Sequence, residues 1–128
     1  MRLKLAVILL MFSNSVFADY TLETGNDFLQ VCVPAMDRLN ADDFKVDGNN
    51  AEYILPMGLC LGYYRGLKHS LYAMMGATNK FICTPDNVSD GQALSIIKKY
   101  INDNPAKSHE LIYGLHIKAF AEAFPCKE

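Results

Sequence analysis

The sequence predicts an all-α fold, a small disulfide-stapled domain that resembles a four-helix bundle. Three observations predict it. Apolar residues recur at the three- and four-residue spacing of helices along most of the chain, with no convincing run of strands. The N-terminal segment has the pattern of a secretory leader. The chain also carries an even set of cysteines, which in an exported protein indicates two disulfides: Cys32, Cys60, Cys83 and Cys126.

Residues 1–18 have the parts of a cleavable signal peptide. Arg2 and Lys4 make a positive start, and residues 5–12 form an apolar run too short to span a bilayer. Small residues occupy the two positions that signal peptidase reads, at Val16 and Ala18. We therefore expect export from the cytoplasm and one mature domain over residues 19–128.

The mature chain is small and acidic. Removing 18 of 128 residues leaves 110, and losing Arg2 and Lys4 leaves 10 basic against 14 acidic residues, a net charge of −4. This charge argues against nucleic acid and against an anionic membrane surface as partners, while a basic protein partner is compatible with it.

The first helix is predicted to begin near Thr24, whose side chain can cap the turn that contains Asp27. Pro34 should bend it or end it early. Its apolar face would consist of Phe28, Leu29, Cys32 and Met36. The polar segment 40–50 that follows is predicted to be a solvated loop. It fails the calcium-loop pattern because Lys45 and Ile54 stand where ligands should be.

The second helix is predicted from Ala51 or Pro56 to Met75. Its apolar face would be Met57, Cys60, Leu61, Tyr64, Leu67, Leu71 and Met74. Gly58, Gly62 and Gly66 repeat on nearly the opposite face, and each costs a helix roughly 1 kcal/mol relative to alanine. We therefore expect another backbone to pack closely on this glycine face, from the same chain or from a second copy.

The third helix is predicted to start after Ser89, which forms a capping box with Gln92 and precedes an apolar face of Leu94, Ile97 and Ile101. The fourth is predicted from about Ala106 to Phe124, with a buried stripe of Ile112, Leu115, Ala119, Phe120 and Ala123. His116 lies on the same stripe, where a core histidine is a more common finding than a catalytic one.

The four cysteines allow three pairings. Short connections make consecutive helices antiparallel neighbours, which brings Cys83 beside Cys126 and leaves Cys32 for Cys60. Topology favours this pairing without proving it.

No pattern of an enzyme is present. The chain contains no nucleophile elbow, phosphate-binding loop or dinucleotide fingerprint, and disulfides would leave no free thiolate. The histidines (His69, His109 and His116) are scattered and no Cys-x-x-Cys occurs, so we expect no metal site and no cofactor. A binding protein without enzymatic activity is the prediction.

Several short motifs resemble the Rap/Tai family of immunity proteins. They are residues 24–29 (TGNDFL) with Cys32, residues 60–66 (CLGYYRG), residues 83–85 (CTP), residues 100–105 (YINDNP) and residues 123–126 (AFPC). Their order and spacing cover nearly all of the mature chain. By resemblance, the family-pattern positions are scaffold positions, namely Gly62, Tyr63, Gly66, Cys83, Pro85, Pro125 and Cys126.

The resemblance implies a small, mostly helical periplasmic protein of a family in which several members act as homodimers. Such a protein binds and blocks a peptidoglycan amidase effector delivered by type VI secretion from sibling cells. The alternative is a periplasmic stress chaperone or a small-ligand-binding helical protein.

Two connections are candidates for the element that enters the effector's groove, because loops on a rigid scaffold usually carry such contacts. One is Ala77 to Lys80. The favoured one, residues 102–110, offers both charge signs and a histidine, and its candidate effector-binding residues are Asp103, Asn104, Lys107, Ser108, His109 and Glu110.

Overall fold

A computed structural model describes residues 20–43, 45, 47–75 and 82–126. The described residues form the α-helices α1 (Gly25–Leu39), α2 (Ala51–Met75), α3 (Asp90–Asp103) and α4 (Ile112–Ala123), and the short 3-10 helices Gly48–Asn50 and Pro105–Lys107. They contain no β-strand, only an isolated antiparallel bridge between Thr24 and Leu111. The predicted all-α fold is confirmed. The predicted signal peptide and the connection Ala77 to Lys80 lie outside the described residues.

Helix α1 begins where the capping residues predict. Thr24 Oγ1 accepts a hydrogen bond from the Asp27 amide at 3.2 Å, and Asp27 Oδ2 accepts one from the Thr24 amide at 2.8 Å. The predicted early end at Pro34 is wrong, because the helix continues through it to Leu39. Buried residues lie on both sides of Pro34, at Cys32 and Met36, and their packing offsets the backbone hydrogen bond that a proline removes.

Helix α2 is apolar on more than its core face. Cys60 and Tyr64 are fully buried, as the periodicity predicts. Met74, predicted on the same buried face, is instead 83% exposed, and that prediction is wrong. It lies in the last turn, where the helix extends past the core. Leu55 near the other end is 67% exposed, so both ends of α2 present apolar side chains to solvent.

Helices α3 and α4 supply the other half of the core. Ser89 Oγ accepts a hydrogen bond from the Gln92 amide at 3.2 Å, which caps α3. The predicted apolar faces are buried at Leu94, Ile97 and Ile101 in α3 and at Ile112, Leu115, Ala119 and Phe120 in α4. Ala123, predicted on the same stripe, is exposed at the end of α4, and that prediction is wrong. The predicted start of the fourth helix at Ala106 is wrong: residues 105–107 form a 3-10 helix, and α4 begins at Ile112.

Two disulfides link these helices, in the two pairs that the helix order predicts. Cys32–Cys60 joins α1 to α2 in the centre of the core, where both residues have no exposed surface. Cys83–Cys126 joins the segment before α3 to the segment after α4, and here Cys83 is exposed. The Cys83 amide also donates to the Phe124 carbonyl at 2.9 Å, which holds the same two segments together.

The polar segment between α1 and α2 is held by one buried amide. Asn50 is 6% exposed; its Oδ1 accepts from Arg38 Nε at 3.1 Å, and its Nδ2 donates to the Lys45 carbonyl at 2.8 Å. The described residues contain no group of three or more side chains that could hold a metal ion. None of their helices is both long enough and apolar enough to cross a membrane.

Candidate functional site

The favoured loop is fastened to the start of α1. The amides of Gly25 and Asn26 donate to the carbonyls of Glu110 and Ser108 at 3.1 and 2.7 Å, and the Ile112 amide donates to the Glu23 carbonyl at 2.8 Å. The first amides of a helix have no partner within the helix, so these carbonyls satisfy two of them. The same bonds explain why α4 starts late, since the carbonyls of Ser108 and Glu110 accept from α1 and not from amides four residues further along the chain.

Gly25 is required at this junction. An alanine Cβ in its place would lie 2.6 Å from Leu115 Cδ1 and 2.9 Å from the Ser108 carbonyl oxygen, both too close for ordinary contact. Asp27, two residues on, is held by the Thr24 cap, and the hydrogen bonds from Thr24 lower the pKa of its carboxyl. The junction is therefore a tightly packed base for the loop.

Several predicted effector-binding side chains have partners within the protein. Lys107 Nζ donates to Asn104 Oδ1 at 3.1 Å and lies 5.6 Å from the centroid of the Tyr100 ring. Asn104 Nδ2 donates to the Tyr100 carbonyl at 2.9 Å, and Asp103 pairs with Lys99 one turn earlier in α3. These bonds stiffen the loop and leave fewer of its polar groups free for a partner.

The end of the loop has a second ion pair. Glu110 Oε2 accepts from Lys118 Nζ at 2.6 Å, a hydrogen bond that lowers the pKa of the Glu110 carboxyl and raises that of the Lys118 ammonium. Ser108 Oγ donates to the Pro105 carbonyl at 2.9 Å. His109, in contrast, is exposed to solvent between these two residues.

Two exposed apolar residues follow His109 in the chain. Leu111 is 51% exposed and Tyr113 is 53% exposed. We call His109, Leu111 and Tyr113 the 109–113 patch. The sequence prediction named only the polar residues of the loop and missed Leu111 and Tyr113. Both fall off the buried stripe of α4, and an apolar residue off the stripe was the signal that could have identified them.

The glycine face has no partner in the described chain. A Cβ added at Gly58, Gly62 or Gly66 would meet nothing within 4 Å. The part of the prediction in which an element of the same chain packs on this face is therefore wrong for the described residues. The physical reason is that α1 and α3 contact α2 through the face of Cys60 and Tyr64. The second alternative, another copy of the chain, stays a prediction.

An aromatic cluster joins α2 to α4. His116 is 2% exposed and lies against Tyr64 and Phe120, with ring centroids 5.6 and 4.6 Å away, and Tyr63 meets it edge-on at 6.1 Å. Burial lowers the pKa of His116 to about 4, so the ring is neutral near pH 7. Its Nδ1 is buried and has no hydrogen-bond partner among the described residues. A small pocket opens beside this cluster.

The described residues include no free cysteine, and the predicted site residues form a braced loop with an apolar and a polar part. A family model described as Rap1a immunity proteins matches residues 24–126, which is most of the chain. No curated protein and no solved structure shows a significant match.

Proposed function

Because the chain belongs to the Rap1a immunity protein family, we propose that it is a periplasmic protein that inhibits one peptidoglycan amidase effector. The effector would be delivered by a type VI secretion system of sibling cells, and binding would protect the producing cell. Membership of an immunity family supports a cognate effector as the partner and a role without enzymatic activity of its own. The identity of the effector as an amidase rests on the resemblance of the sequence motifs.

Two features support the periplasm as the location. Both disulfides require an oxidising compartment. The leader pattern of residues 1–18 would deliver a single domain, residues 19–128, to that compartment. Peptidoglycan lies on the same side of the membrane, so inhibitor and target would meet where the damage occurs.

The 109–113 patch is the proposed contact with the effector, together with the polar loop residues before it. An interface gains most from a few large side chains that are already held in place, since little conformational entropy is then lost on binding. Leu111 and Tyr113 are such side chains. The hydrogen bonds of Gly25 and Asn26 to the loop fix the backbone beneath them. His109 adds a polar group that could face a Cys-His catalytic centre.

A protection assay tests the function. A small Cys-His amidase encoded beside this gene is expressed in the periplasm of a host cell, where it should cause lysis. Co-expression of the full chain should prevent lysis, whereas a variant without residues 1–18 should not. Purified residues 19–128 should also block hydrolysis of isolated peptidoglycan at a one-to-one ratio. Lysis in the presence of the full chain, with uninhibited hydrolysis in vitro, would contradict the proposal.

We also propose that two copies associate through the glycine face of α2. The described chain leaves this face open, and exposed glycines in a helix interior reduce stability unless a close contact offsets them. Leu55, which is 67% exposed, adds apolar area at one end of the same helix. A symmetric dimer would bury equivalent surfaces of both copies.

Sedimentation velocity tests this association. The parent should sediment as a dimer, and Gly62→Leu should sediment as a monomer because its side chain would separate the two helices. Gly91→Leu is the matched control, since Gly91 on α3 is equally open and lies off the proposed contact. A monomeric parent, or a Gly62→Leu variant that sediments like the parent, would show that the face is simply exposed.

A further inference from the structure

A pocket between α2 and α4 is not used by the proposed inhibitory function. Tyr64 and Leu71 from α2 and Phe120 from α4 line it with apolar surface, and Lys68 and Thr84 add polar groups. We call it the α2–α4 pocket. Its cavity volume is about 50 Å³. One water molecule needs about 10–15 Å³ on this measure, so the pocket has room for a group of roughly four or five non-hydrogen atoms.

Lys68 is the charged group of the pocket. It is half-buried and makes no ion pair with any described residue. Lys98 and Lys107 are half-buried too, but each binds a side-chain oxygen of the protein. An ammonium at an apolar pocket, without a counter-charge among the described residues, is suited to pair with an anionic ligand.

The other described side chains that line the pocket do not compete with the ligand for the Lys68 ammonium. His116 lines the pocket and is neutral near pH 7, because burial lowers its pKa to about 4. The described residues that line the pocket include no carboxylate. Lys68 therefore supplies the one full charge among the side chains that line it.

We propose that the α2–α4 pocket binds a short aliphatic group that carries a carboxylate. The alkyl part packs against Tyr64, Leu71 and Phe120, and the carboxylate pairs with the Lys68 ammonium. Two sources have this chemistry, a free branched carboxylic acid and the C-terminal residue of a peptide. The proposal does not depend on the inhibitory function, since it uses neither the effector nor the 109–113 patch.

NMR titration of the ¹⁵N-labelled mature protein with four probes tests the proposal. Isovalerate should cause saturable shifts of amides near Tyr64, Leu71 and Phe120. Isovaleramide, the neutral analogue of the same shape, should bind at least roughly tenfold more weakly, because it lacks the charge-assisted contact. Gly-Gly-Leu with a free C-terminus and the same peptide with a C-terminal amide separate the two sources. Tighter binding of the free tripeptide than of isovalerate identifies a peptide end. Binding of isovalerate alone identifies a free acid.

Variants assign the charge recognition to one residue. Lys68→Met keeps the aliphatic stem and should remove the preference for acid over amide. Lys99→Met, an exposed lysine on α3, should keep it. The proposal is overturned if isovalerate gives no saturable shifts, if acid and amide bind equally well to the unsubstituted protein, or if folded Lys68→Met still prefers the acid. The acid–amide comparison decides the question even if Lys68→Met fails to fold.

Discussion

The rings of Tyr64 and His116 stack across the interface of α2 and α4, with their centroids 5.6 Å apart and their planes at 19°. Tyr64 has no exposed surface and His116 only 2%. The imidazole is thus kept away from water on an aromatic surface, and this burial lowers its pKa to about 4 from an ordinary value of 6.5. Because His116 is buried in this pair, the stability of the fold depends on pH.

The first prediction concerns this dependence. The unfolded chain binds the His116 proton below about pH 6.5 and the folded protein only near pH 4, so acid favours unfolding. The contribution of neutral His116 is complete above pH 6.5 and is lost progressively as the pH falls towards 4. Urea unfolding should show a loss of about 2 kcal/mol between pH 7.5 and pH 5.

The carboxyls that the fold stabilises respond to a lower pH range than His116. The carboxyls with lowered pKa, such as Asp27 and Glu110, lose their contribution only below their ordinary values of 3.8 and 4.5. His116→Phe should therefore flatten the curve between pH 7.5 and pH 5, while His69→Gln, at an exposed site, should leave it steep. An equally steep curve for His116→Phe would show that another group is responsible.

The second prediction compares Gly25, where an added side chain would clash, with Gly91, where it would not. Gly25→Ala should destabilise the fold by about 1–3 kcal/mol, because its Cβ would collide with Leu115 and with the Ser108 carbonyl. Gly91→Ala, in open space on α3, should be neutral or stabilising by up to about 1 kcal/mol. Urea unfolding at pH 7.5 measures both, and equal effects would argue against the close junction at Gly25.

The third prediction concerns the two disulfides. Their loops, with sequence separations of 28 and 43, give similar chain-entropy stabilisation, about 3.5–4 kcal/mol each. Only Cys32–Cys60 also fills the core, so replacing both residues with alanine should cost more than the same change at Cys83 and Cys126, despite the shorter loop. Urea midpoints of the two double variants provide the comparison, and the reverse order would contradict it.

Burial also predicts the order of reduction. Cys83 is exposed, whereas Cys32 and Cys60 have no accessible surface. Mild reductant in native conditions should therefore open Cys83–Cys126 first, and alkylation followed by peptide mass analysis should find label on Cys83 and Cys126 before the other pair. Simultaneous labelling of all four cysteines would indicate that global unfolding precedes reduction.

The fourth prediction concerns the 109–113 patch. Tyr113→Ala and Leu111→Ser should each weaken binding to the proposed amidase effector by roughly 100-fold, since large central side chains dominate such interfaces. Both residues are about half exposed, so the melting temperature should change little. Tyr72→Ala is a matched control, because Tyr72 is 52% exposed and lies on α2. Calorimetry that finds all three variants equal to the parent would exclude this patch.

The polar side chains of the same loop provide a fifth prediction. Replacing Asp103, Lys107, His109 and Glu110 together with alanine should keep the fold, because the loop is anchored through the backbone of residues 108 and 110 and its ion pairs are exposed. If the loop contacts the effector, binding should fall strongly. An unfolded quadruple variant would instead assign these side chains to the scaffold.

The sequence by itself determined the helices and most of their core faces. Thr24 and Ser89 marked the starts of α1 and α3 because a side-chain cap is a local interaction, written within three or four residues. The spacing of Leu94, Ile97 and Ile101 identified a buried face for the same reason. Even the pairing of the cysteines followed from the order of the helices, since short connections leave few arrangements.

Only the tertiary structure decided where α4 starts, which glycine has no room for a side chain and which side chains are exposed at the surface. Residues 108–111 have a helical sequence, yet the carbonyls of Ser108 and Glu110 accept from the amides of Asn26 and Gly25, residues more than 80 positions away in the chain. Gly25 gave no sequence signal, while the conspicuous glycines of α2 meet open space. Leu111 and Tyr113, next to that pairing in the chain, are about half exposed. Contacts between distant segments determine such features, and periodicity within one segment does not contain them.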